Sequence, residues 1–311
     1  MSMRITSAKA YETSIGNLQS RQQDLADAQN KLTSGKRVTV ASDDPVAAAR
    51  AERALAAMVR SEADQRALEA SRNVTTQTES ALGDAGELMQ QAREAVINAG
   101  NGSYSDSDRA TLATSLKGIR DQLLAIANRT DGAGTYLFGG QGTQAPPFVD
   151  TPAGVVYQGA GGQTMVPSSE SLPMTVDGGQ TWLQAPNPVD GQPALSVFSV
   201  LDGIIGDLRT PGRGGDAIKA TVSTGLSNVD AVAANLLAAR TTAGSTLNRT
   251  DSLENQISAT KLAAQTERSN AEDLDMVQAI SDFQNQQSGY DAALKTYATV
   301  QHLSLFQYLS A

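Results

Sequence analysis

The sequence of 311 residues contains no cysteine and a single histidine, His302. The lack of cysteine excludes disulfides, thiolate metal sites and a cysteine nucleophile. One histidine without cysteine partners argues against a zinc site. A Ser–His–Asp triad would need that histidine beside a pocket, and the sequence gives no sign of one. We therefore predict no catalytic residue, no metal site and no cofactor.

Long apolar segments and basic runs are also missing. The longest uninterrupted apolar run, Ala54–Val59, is far shorter than the roughly 20 residues that a membrane-spanning helix needs. Residues 1–19 are mostly polar and hold no continuous apolar segment, so no cleavable secretory signal is expected. The net charge is −9, and the lysines and arginines are scattered among acidic residues. These features predict neither membrane insertion nor nucleic-acid binding.

Aromatic residues make up only 4% of the chain. A chain with so few large rings forms thin cores, such as the seams between paired helices. The first such seam lies near the N-terminus, where apolar residues recur at the three- and four-residue spacing of a coiled coil. Its members are Tyr11, Ile15, Leu18, Leu25 and Leu32. Gly35 is expected to end this helix.

A second helix is predicted to begin after a capping loop. The loop consists of Ser42, Asp43, Asp44 and Pro45. The Asp44 carboxylate can accept hydrogen bonds from the first backbone N–H groups of the helix, and proline suits the first helical position. We expect this helix to run from Pro45 to about Asn98.

A third helix is expected to follow the Gly-rich break near residue 100. Ser105 or Asp106 would cap it, and it should end near Asn128. From residue 131 to 193 glycine and proline become frequent and short β-prone pieces appear. Asp177-Gly178 reads there as the turn of a hairpin. We interpret this segment as a small β-rich domain.

Helix is predicted again from Leu195 to Leu208, and an apolar frame then runs from Ile218 towards the C-terminus. The frame slips near Asp275, which is typical of a change of packing partner. Glu272, Asp273 and Asp275 are expected to form a solvated acidic patch on a helix. A second terminal seam follows, formed by Ile280, Phe283, Tyr290, Leu294 and Tyr297, and then by Leu305, Phe306 and Leu309.

The predicted fold is mainly α: an elongated antiparallel helical bundle or coiled coil of N- and C-terminal segments, with a small β-rich inserted middle domain. The chain is divided into five segments. They are an N-terminal assembly helix (1–40), the N-terminal half of a long-helix bundle (41–130), the β-rich middle domain (131–193), the C-terminal half of the bundle (194–274) and a C-terminal assembly helix (275–311).

The two terminal seams are predicted to form subunit interfaces because they continue almost to the chain ends. Ends are normally polar, whereas Leu305, Phe306 and Leu309 make an apolar last turn that favours a partner surface. An ordinary intramolecular bundle is the alternative reading of the seams. A soluble coiled-coil adaptor is another. A third is an enzyme within 131–193 that uses two carboxylates among Asp150, Glu170, Asp177 and Asp190.

Several sequence motifs, in order and in register, resemble those of the flagellar hook-associated proteins of the flagellin superfamily. In the N-terminal part they are Met3–Ile5, Ser34–Val38, Ser42–Arg50, Gly100–Gly102, Ser105–Arg109 and Tyr136–Gly140; in the C-terminal part they are Gly244, Asn248-Arg249, Glu272–Asp275 and Ser304–Leu309. The resemblance covers residues 3–140 and 240–310. Within this family the chain is most similar to the type of subunit next to the filament. Flagellin is the alternative, although flagellins usually have Asp-Asp-Ala-Ala-Gly where this chain has Asp43-Asp44-Pro45-Val46-Ala47.

The resemblance implies a structural subunit of the bacterial flagellum rather than an enzyme. Such a subunit would be exported unfolded through the flagellar type III channel and secreted without signal cleavage. Outside the cell it would form a ring or short helical zone with copies of itself at the hook–filament junction. Its implied partners are the first hook-associated protein, flagellin and a flagellar export chaperone.

Overall fold

The computed structural model describes residues 2–166 and 171–309; the side chains of residues 2–8, 10, 166 and 300–309 fall outside it. The elements in chain order are α1 (Ser2–Ser34), α2 (Pro45–Ala99), α3 (Asp106–Ala127), β1 (Phe148–Thr151), β2 (Gly154–Tyr157), β3 (Met165–Val166), β4 (Leu172–Pro173), α4 (Gly178–Leu183), α5 (Val197–Arg209), α6 (Gly215–Glu272) and α7 (Met276–Leu309). The predicted mainly α chain with a small antiparallel β insertion is confirmed.

The helix boundaries follow local chemistry that the sequence announces. Gly35 follows α1 with a φ of 69°, a backbone conformation that glycine adopts without steric cost. Ser105 caps α3 through a capping box, in which its hydroxyl accepts from the Asp108 N–H and the Asp108 carboxylate accepts from the Ser105 N–H. Asn128 closes the same helix. The predicted ends of the first three helices are therefore confirmed.

The chain forms two compact units, and the predicted five-segment division stays a prediction. The first unit contains Met1–Ser61 and Ala259–Ala311. In it α1 packs against α7, as predicted for the terminal helices. An ion pair of 2.8 Å between Arg50 and Glu267 also joins the first part of α2 to the last part of α6.

The second unit, Glu62–Ser258, contains the larger core. In this unit α2 and α6 run antiparallel, and Arg93 pairs with Asp230 at 2.8 Å while Arg240 pairs with Glu79 at 2.7 Å. Apolar residues of four helices and of the insertion meet in one cluster. Its fully buried members include Leu82, Met89, Leu116, Leu123, Phe138, Phe148, Trp182, Phe198, Leu201, Val232 and Leu236.

The insertion contains two small antiparallel sheets, β1 with β2 and β3 with β4. Trp182 is the centre of its aromatic contacts: it lies edge-on to Phe138, with ring centroids 5.4 Å apart, and stacks on Phe198 at 6.0 Å. Phe148 completes the group at 6.3 Å from Trp182. Three of the five phenylalanines of the chain and its single tryptophan thus meet here, where they fix the insertion on the helices of its own unit.

The predicted hairpin at Asp177-Gly178 is wrong, because these residues begin the helix α4. The Asp177 carboxylate accepts a hydrogen bond from the Gln180 N–H at 3.1 Å, which makes it the N-cap. A Cβ atom at Gly178 would lie 2.3 Å from the carbonyl oxygen of Phe138. The dipeptide is therefore used for capping and for close backbone approach rather than for a two-residue turn.

Arg120 ties α3 to two other elements of the second unit. The arginine side chain is 7% exposed and forms ion pairs with Asp150 on β1 and Asp202 on α5. Its guanidinium carbon also lies 5.9 Å from the centre of the Phe198 ring. The hydrogen bonds that Arg120 donates to the Asp150 carboxylate raise the pKa of Arg120, and the same contact lowers the pKa of Asp150. The charge at residue 120 is therefore fixed at every physiological pH.

Across residues 2–166 and 171–309, no helix has both the length and the apolar character that crossing a membrane requires.

Candidate assembly surface of the terminal helices

The two terminal helices meet through their aromatic residues. The hydroxyl oxygens of Tyr11 on α1 and Tyr297 on α7 lie 2.7 Å apart, and the ring centroids are separated by 5.7 Å. Nearer the middle of the helices, the Arg21 guanidinium occupies the space beside Gly289, since a Cβ there would lie 2.5 Å from Nη1 of Arg21. The predicted seam partners Tyr11 and Tyr297 are thus brought together within one chain.

The predicted seam residues of α7 fall into two groups. Phe283, Tyr290 and Tyr297 are half-buried. Ile280 and Leu294 are 47% and 40% exposed. Phe283, Tyr290 and Tyr297, which are spaced by seven residues, therefore pack partly inside the first unit. Ile280 and Leu294, which are spaced by fourteen, remain accessible on α7.

On α1 the predicted seam residues are mostly half-buried. Ile15, Leu18, Leu25 and Leu32 belong to this class, whereas Tyr11 is 40% exposed. The α1 seam is thus largely used within the chain, and the assignment of these residues to an interface between subunits stays a prediction.

Two further apolar residues of α7 are exposed that the sequence reasoning did not single out. Met276 is 45% exposed and Val277 is 82% exposed. With Ile280 and Leu294 they make up what we call the α7 apolar stripe. The i, i+3 spacing of Val277 and Ile280 is the sequence signal that could have found Val277. A row of exposed apolar side chains along one helix is a candidate surface for a partner.

A short backbone clip, formed by residues 35–37 and 272–274, joins the break that follows α1 to the break that precedes α7. Lys36 and Asp273 form an antiparallel bridge. The Arg37 N–H donates to the Glu272 carbonyl at 2.7 Å, and the Leu274 N–H donates to the Gly35 carbonyl at 3.0 Å. The clip holds the start of α7 beside the end of α1.

The predicted capping loop has the expected chemistry. Asp44 accepts hydrogen bonds from the N–H groups of Val46 and Ala47 at 3.1 and 3.0 Å, so it caps α2 above Pro45. Asp43 closes the preceding turn by accepting from the Thr39 and Val40 N–H groups at 2.9 and 3.1 Å. Ser42 lies exposed in the loop.

Electrostatics at this loop follow from those hydrogen bonds. The Thr39 N–H lowers the pKa of Asp43, with smaller contributions from the Val40 N–H and the Thr39 hydroxyl. The Ala47 N–H and the Arg37 side chain lower the pKa of Asp44. Both carboxylates are held in their charged form, which is the form that caps.

The acidic residues near 273 do not form a patch on a helix, as the sequence reasoning expected. The helix stops at Glu272, and Asp275 caps the next helix by accepting from the N–H groups of Val277 and Gln278 at 3.0 and 3.2 Å. Glu272 pairs with Lys36 at 3.3 Å and with Arg268 at 2.7 Å. The slip of the apolar frame therefore marks a helix break. Asp275 caps the helix that follows it, and the ion pairs of Glu272 lie at the end of the helix that precedes it.

One further prediction concerns side chains at the C-terminal end of this surface. The side chains of Leu305, Phe306 and Leu309 lie outside the described residues, so their role in an interface stays a prediction.

Among the side chains that the structure does describe, no three His, Cys, Asp or Glu residues come together in a way that could hold a metal ion.

Comparisons with known proteins match both ends of the chain. The bacterial flagellin N-terminal helical region matches residues 5–143, and the bacterial flagellin C-terminal helical region matches residues 226–309. Flagellar hook-associated protein 3 of Salmonella typhimurium (strain LT2) is 33% identical and aligns over 98% of this chain and 99% of its own length. The chain belongs to the flagellar hook-associated protein 3 family of flagellin-like proteins.

Further comparisons find proteins with similar names. Flagellar hook-associated protein 3 of Escherichia coli (strain K12) is 30% identical over 98% of this chain and 99% of its own length. A structure of a putative flagellar hook-associated protein from Vibrio parahaemolyticus has a TM-score of 0.65 at 22% identity and covers 74% of this chain and 100% of that one. The flagellar junction protein FlgL from Legionella pneumophila gives a TM-score of 0.55 at 18% identity, covering 61% of this chain and 95% of that one. The two structural matches show a shared fold.

Proposed function

We propose that this chain is a structural subunit of the bacterial flagellum that forms the junction between the hook-associated zone and the flagellin filament. The observation that carries the proposal is the near end-to-end match to hook-associated protein 3, which includes both terminal helices and the insertion between them. The α7 apolar stripe supports assembly through the terminal helices. It leaves large apolar side chains exposed on α7 although this helix already packs against α1 of the same chain.

The proposed partners follow from this position. Copies of the chain would pack with one another in a ring or short helical zone, with the first hook-associated protein on one side and flagellin on the other. An export chaperone would hold the chain before secretion, and the mature protein would lie outside the cell in the flagellum. Full burial of a fully exposed large apolar side chain supplies about 1.5–3 kcal/mol. Covering the stripe would supply a share of this for each residue, in proportion to the 40–82% of its surface that is exposed.

A flagellin role is the alternative within the same superfamily. The match to hook-associated protein 3 spans 99% of that protein, so it extends through the insertion as well as through the helical ends that all flagellin-like proteins share. A soluble coiled-coil adaptor is the alternative from another class. It is disfavoured because the match over 98% of the chain is to a flagellar hook-associated protein.

We also propose that the chain is not an enzyme. Two of the carboxylates considered for an acid pair have structural duties: Asp150 binds Arg120 in a bidentate pair, and Asp177 caps α4. Asp190 is exposed in a loop, and Glu170 lies outside the described residues. Asp150 and Asp177 thus serve packing and capping.

Complementation tests the proposal directly. The gene for this chain would be expressed in a strain lacking hook-associated protein 3 and, separately, in a strain lacking flagellin. Restored filaments and swimming only in the first strain are expected. Restoration only in the second strain would replace the proposal with a flagellin role. If neither strain recovers although the protein is exported in both, the junction role is contradicted.

A further inference from the structure

The turn between α2 and α3 contains an asparagine–glycine dipeptide, Asn101-Gly102. The sequence holds thirteen asparagines, and only Asn101 is followed by glycine. Asn101, Gly102 and Ser103 are all exposed, and a Cβ atom added at Gly102 would meet no other atom within 4 Å. The turn is thus open to water around Gly102.

The side chain of Asn101 is held towards the residues that follow it. Its Oδ1 accepts hydrogen bonds from the Ser103 N–H at 3.1 Å and from the Ser103 hydroxyl at 2.8 Å. Two donors on one carbonyl oxygen withdraw electron density from the amide carbon and make it a better electrophile. The backbone N–H groups that stabilise the turn are those of Gly100, Asn101 and Tyr104. Within the described residues, the Gly102 N–H has no acceptor.

We propose that Asn101 is a site of spontaneous deamidation in the folded protein. After losing its proton to water, the Gly102 nitrogen attacks Cγ of Asn101. A new N–Cγ bond forms, the bond from Cγ to the side-chain nitrogen breaks, and ammonia leaves. Water then opens the five-membered imide at either carbonyl and gives aspartate or isoaspartate. The net change is one water consumed and one ammonia released, with no oxidant or reductant.

Glycine is the residue that makes this ring closure easy. Because Gly102 has no side chain, its nitrogen is unhindered and its backbone turns freely into the geometry of attack. Asn98 offers a comparison three residues earlier: it is also exposed, but it lies in the last turn of α2 and is followed by Ala99. Its following nitrogen is constrained by the helix, so Asn98 should keep its amide.

The product would change the local electrostatics. A carboxylate at residue 101 lies just past the C-terminal end of α2, where the helix dipole disfavours negative charge. Asp106 and Asp108 follow within the same turn region and carry negative charge already. Isoaspartate would also lengthen the backbone in the turn that joins the two helices. Conversion is therefore expected to lower stability slightly and to mark old molecules of this chain.

The test is incubation of the purified full-length protein at neutral and mildly alkaline pH, followed by peptide mass spectrometry that separates aspartate from isoaspartate. Asn101 is expected to convert ahead of every other asparagine, with both products present and Asn98 unchanged in the same peptide. The variant Gly102→Ala should convert several-fold more slowly, and circular dichroism would verify that it folds. The proposal is overturned if Asn101 keeps its amide while other asparagines convert, or if Gly102→Ala converts at the wild-type rate.

Asn101→Asp serves as a second variant, because it carries the charge of one product without the chemistry. It should melt at a slightly lower temperature than the wild type and should elute from an ion-exchange column with the aged wild-type fraction. Aged protein whose acidic fraction contains no modified residue 101 would also overturn the proposal.

Discussion

The guanidinium of Arg37 donates a hydrogen bond from Nη2 to the carbonyl oxygen of Ala271 at 2.8 Å, although the two residues lie 234 positions apart in the chain. Its Nη1 reaches the Asp44 carboxylate at 3.2 Å. One side chain thus links the end of α6 to the cap of α2, beside the backbone clip between residues 36 and 273. Arg37 therefore couples the two helix breaks of the first unit, together with the ion pair between Lys36 and Glu272.

Removing Arg37 should loosen this clip. Arg37→Ala is expected to lower the free energy of unfolding by about 1 kcal/mol, since it deletes hydrogen bonds of a partly exposed charged group. Hydrogen exchange at the backbone N–H groups of residues 37 and 274 measures the local effect. Arg53→Ala is the matched control, because its guanidinium donates a hydrogen bond to the Ala49 carbonyl of its own helix and its removal leaves the hydrogen bonds of the clip in place. Equal exchange in the two variants would show that Arg37 does not hold the clip.

Acid should weaken the capping loop. The pKa values of Asp43 and Asp44 are lowered in the folded protein, so their contribution to stability is present above the unfolded value near pH 4 and is lost as the pH falls through the folded values. The variant Asp43→Asn with Asp44→Asn should therefore be less stable than the wild type at neutral pH. Urea unfolding at several pH values should show this difference shrinking in acid. A difference that stays constant with pH would exclude a role for the two charges.

Arg120 should contribute far more to stability than an ordinary surface arginine. Arg120→Met removes ion pairs to Asp150 and Asp202, and we expect a loss of about 2–3 kcal/mol, discounted because both carboxylates are partly exposed. Lys117→Ala breaks an exposed pair with Asp121 and should cost less than about 0.5 kcal/mol. Urea unfolding of both variants at one pH provides the comparison. Similar losses would mean that the buried position of Arg120 does not increase its contribution to the free energy of unfolding.

Two glycine substitutions should have opposite effects. Gly178→Ala should destabilise the protein by about 1–3 kcal/mol, because its Cβ would press on the Phe138 carbonyl in a packed region. Gly86→Ala places a methyl group where nothing lies within 4 Å, in the middle of α2, and should stabilise by about 0.5–1 kcal/mol. Thermal unfolding measures both. A stable Gly178→Ala variant would argue against the close approach at the start of α4.

The sequence predicts the helical parts of this fold well because their signals are local. Asp44 and Ser105 each satisfy backbone N–H groups within three residues, and Gly35 relieves a local steric constraint. The spacing of apolar residues on α1 and α7 likewise predicts that the terminal helices pair. These features depend on few residues at short range, which is why they can be read without a structure.

The insertion and the acidic break are harder to predict because long-range contacts decide them. Whether Asp177-Gly178 forms a turn or a helix cap depends on the Phe138 carbonyl, about forty residues earlier in the chain. The end of α6 likewise depends on the bridge from Asp273 to Lys36. The heptad pattern of α7 could not reveal that Phe283 packs inward while Ile280 stays exposed, since both occupy seam positions.

The measurement that tests the central claim most directly is filament retention by a variant of the α7 apolar stripe. Cells lacking their own hook-associated protein 3 would carry Ile280→Asp with Leu294→Asp, and flagellin shed into the medium would be measured together with export of the variant. A control variant, Ser281→Asp with Ser288→Asp, adds the same two charges at exposed polar positions of the same helix.

If the stripe joins subunits, the stripe variant should be exported and helical, yet the cells should shed flagellin and fail to swim, because charges cannot be buried in an apolar contact without a large cost. The control variant should retain its filaments. Normal filaments and swimming with an exported stripe variant would contradict the claim that this surface holds the assembly together.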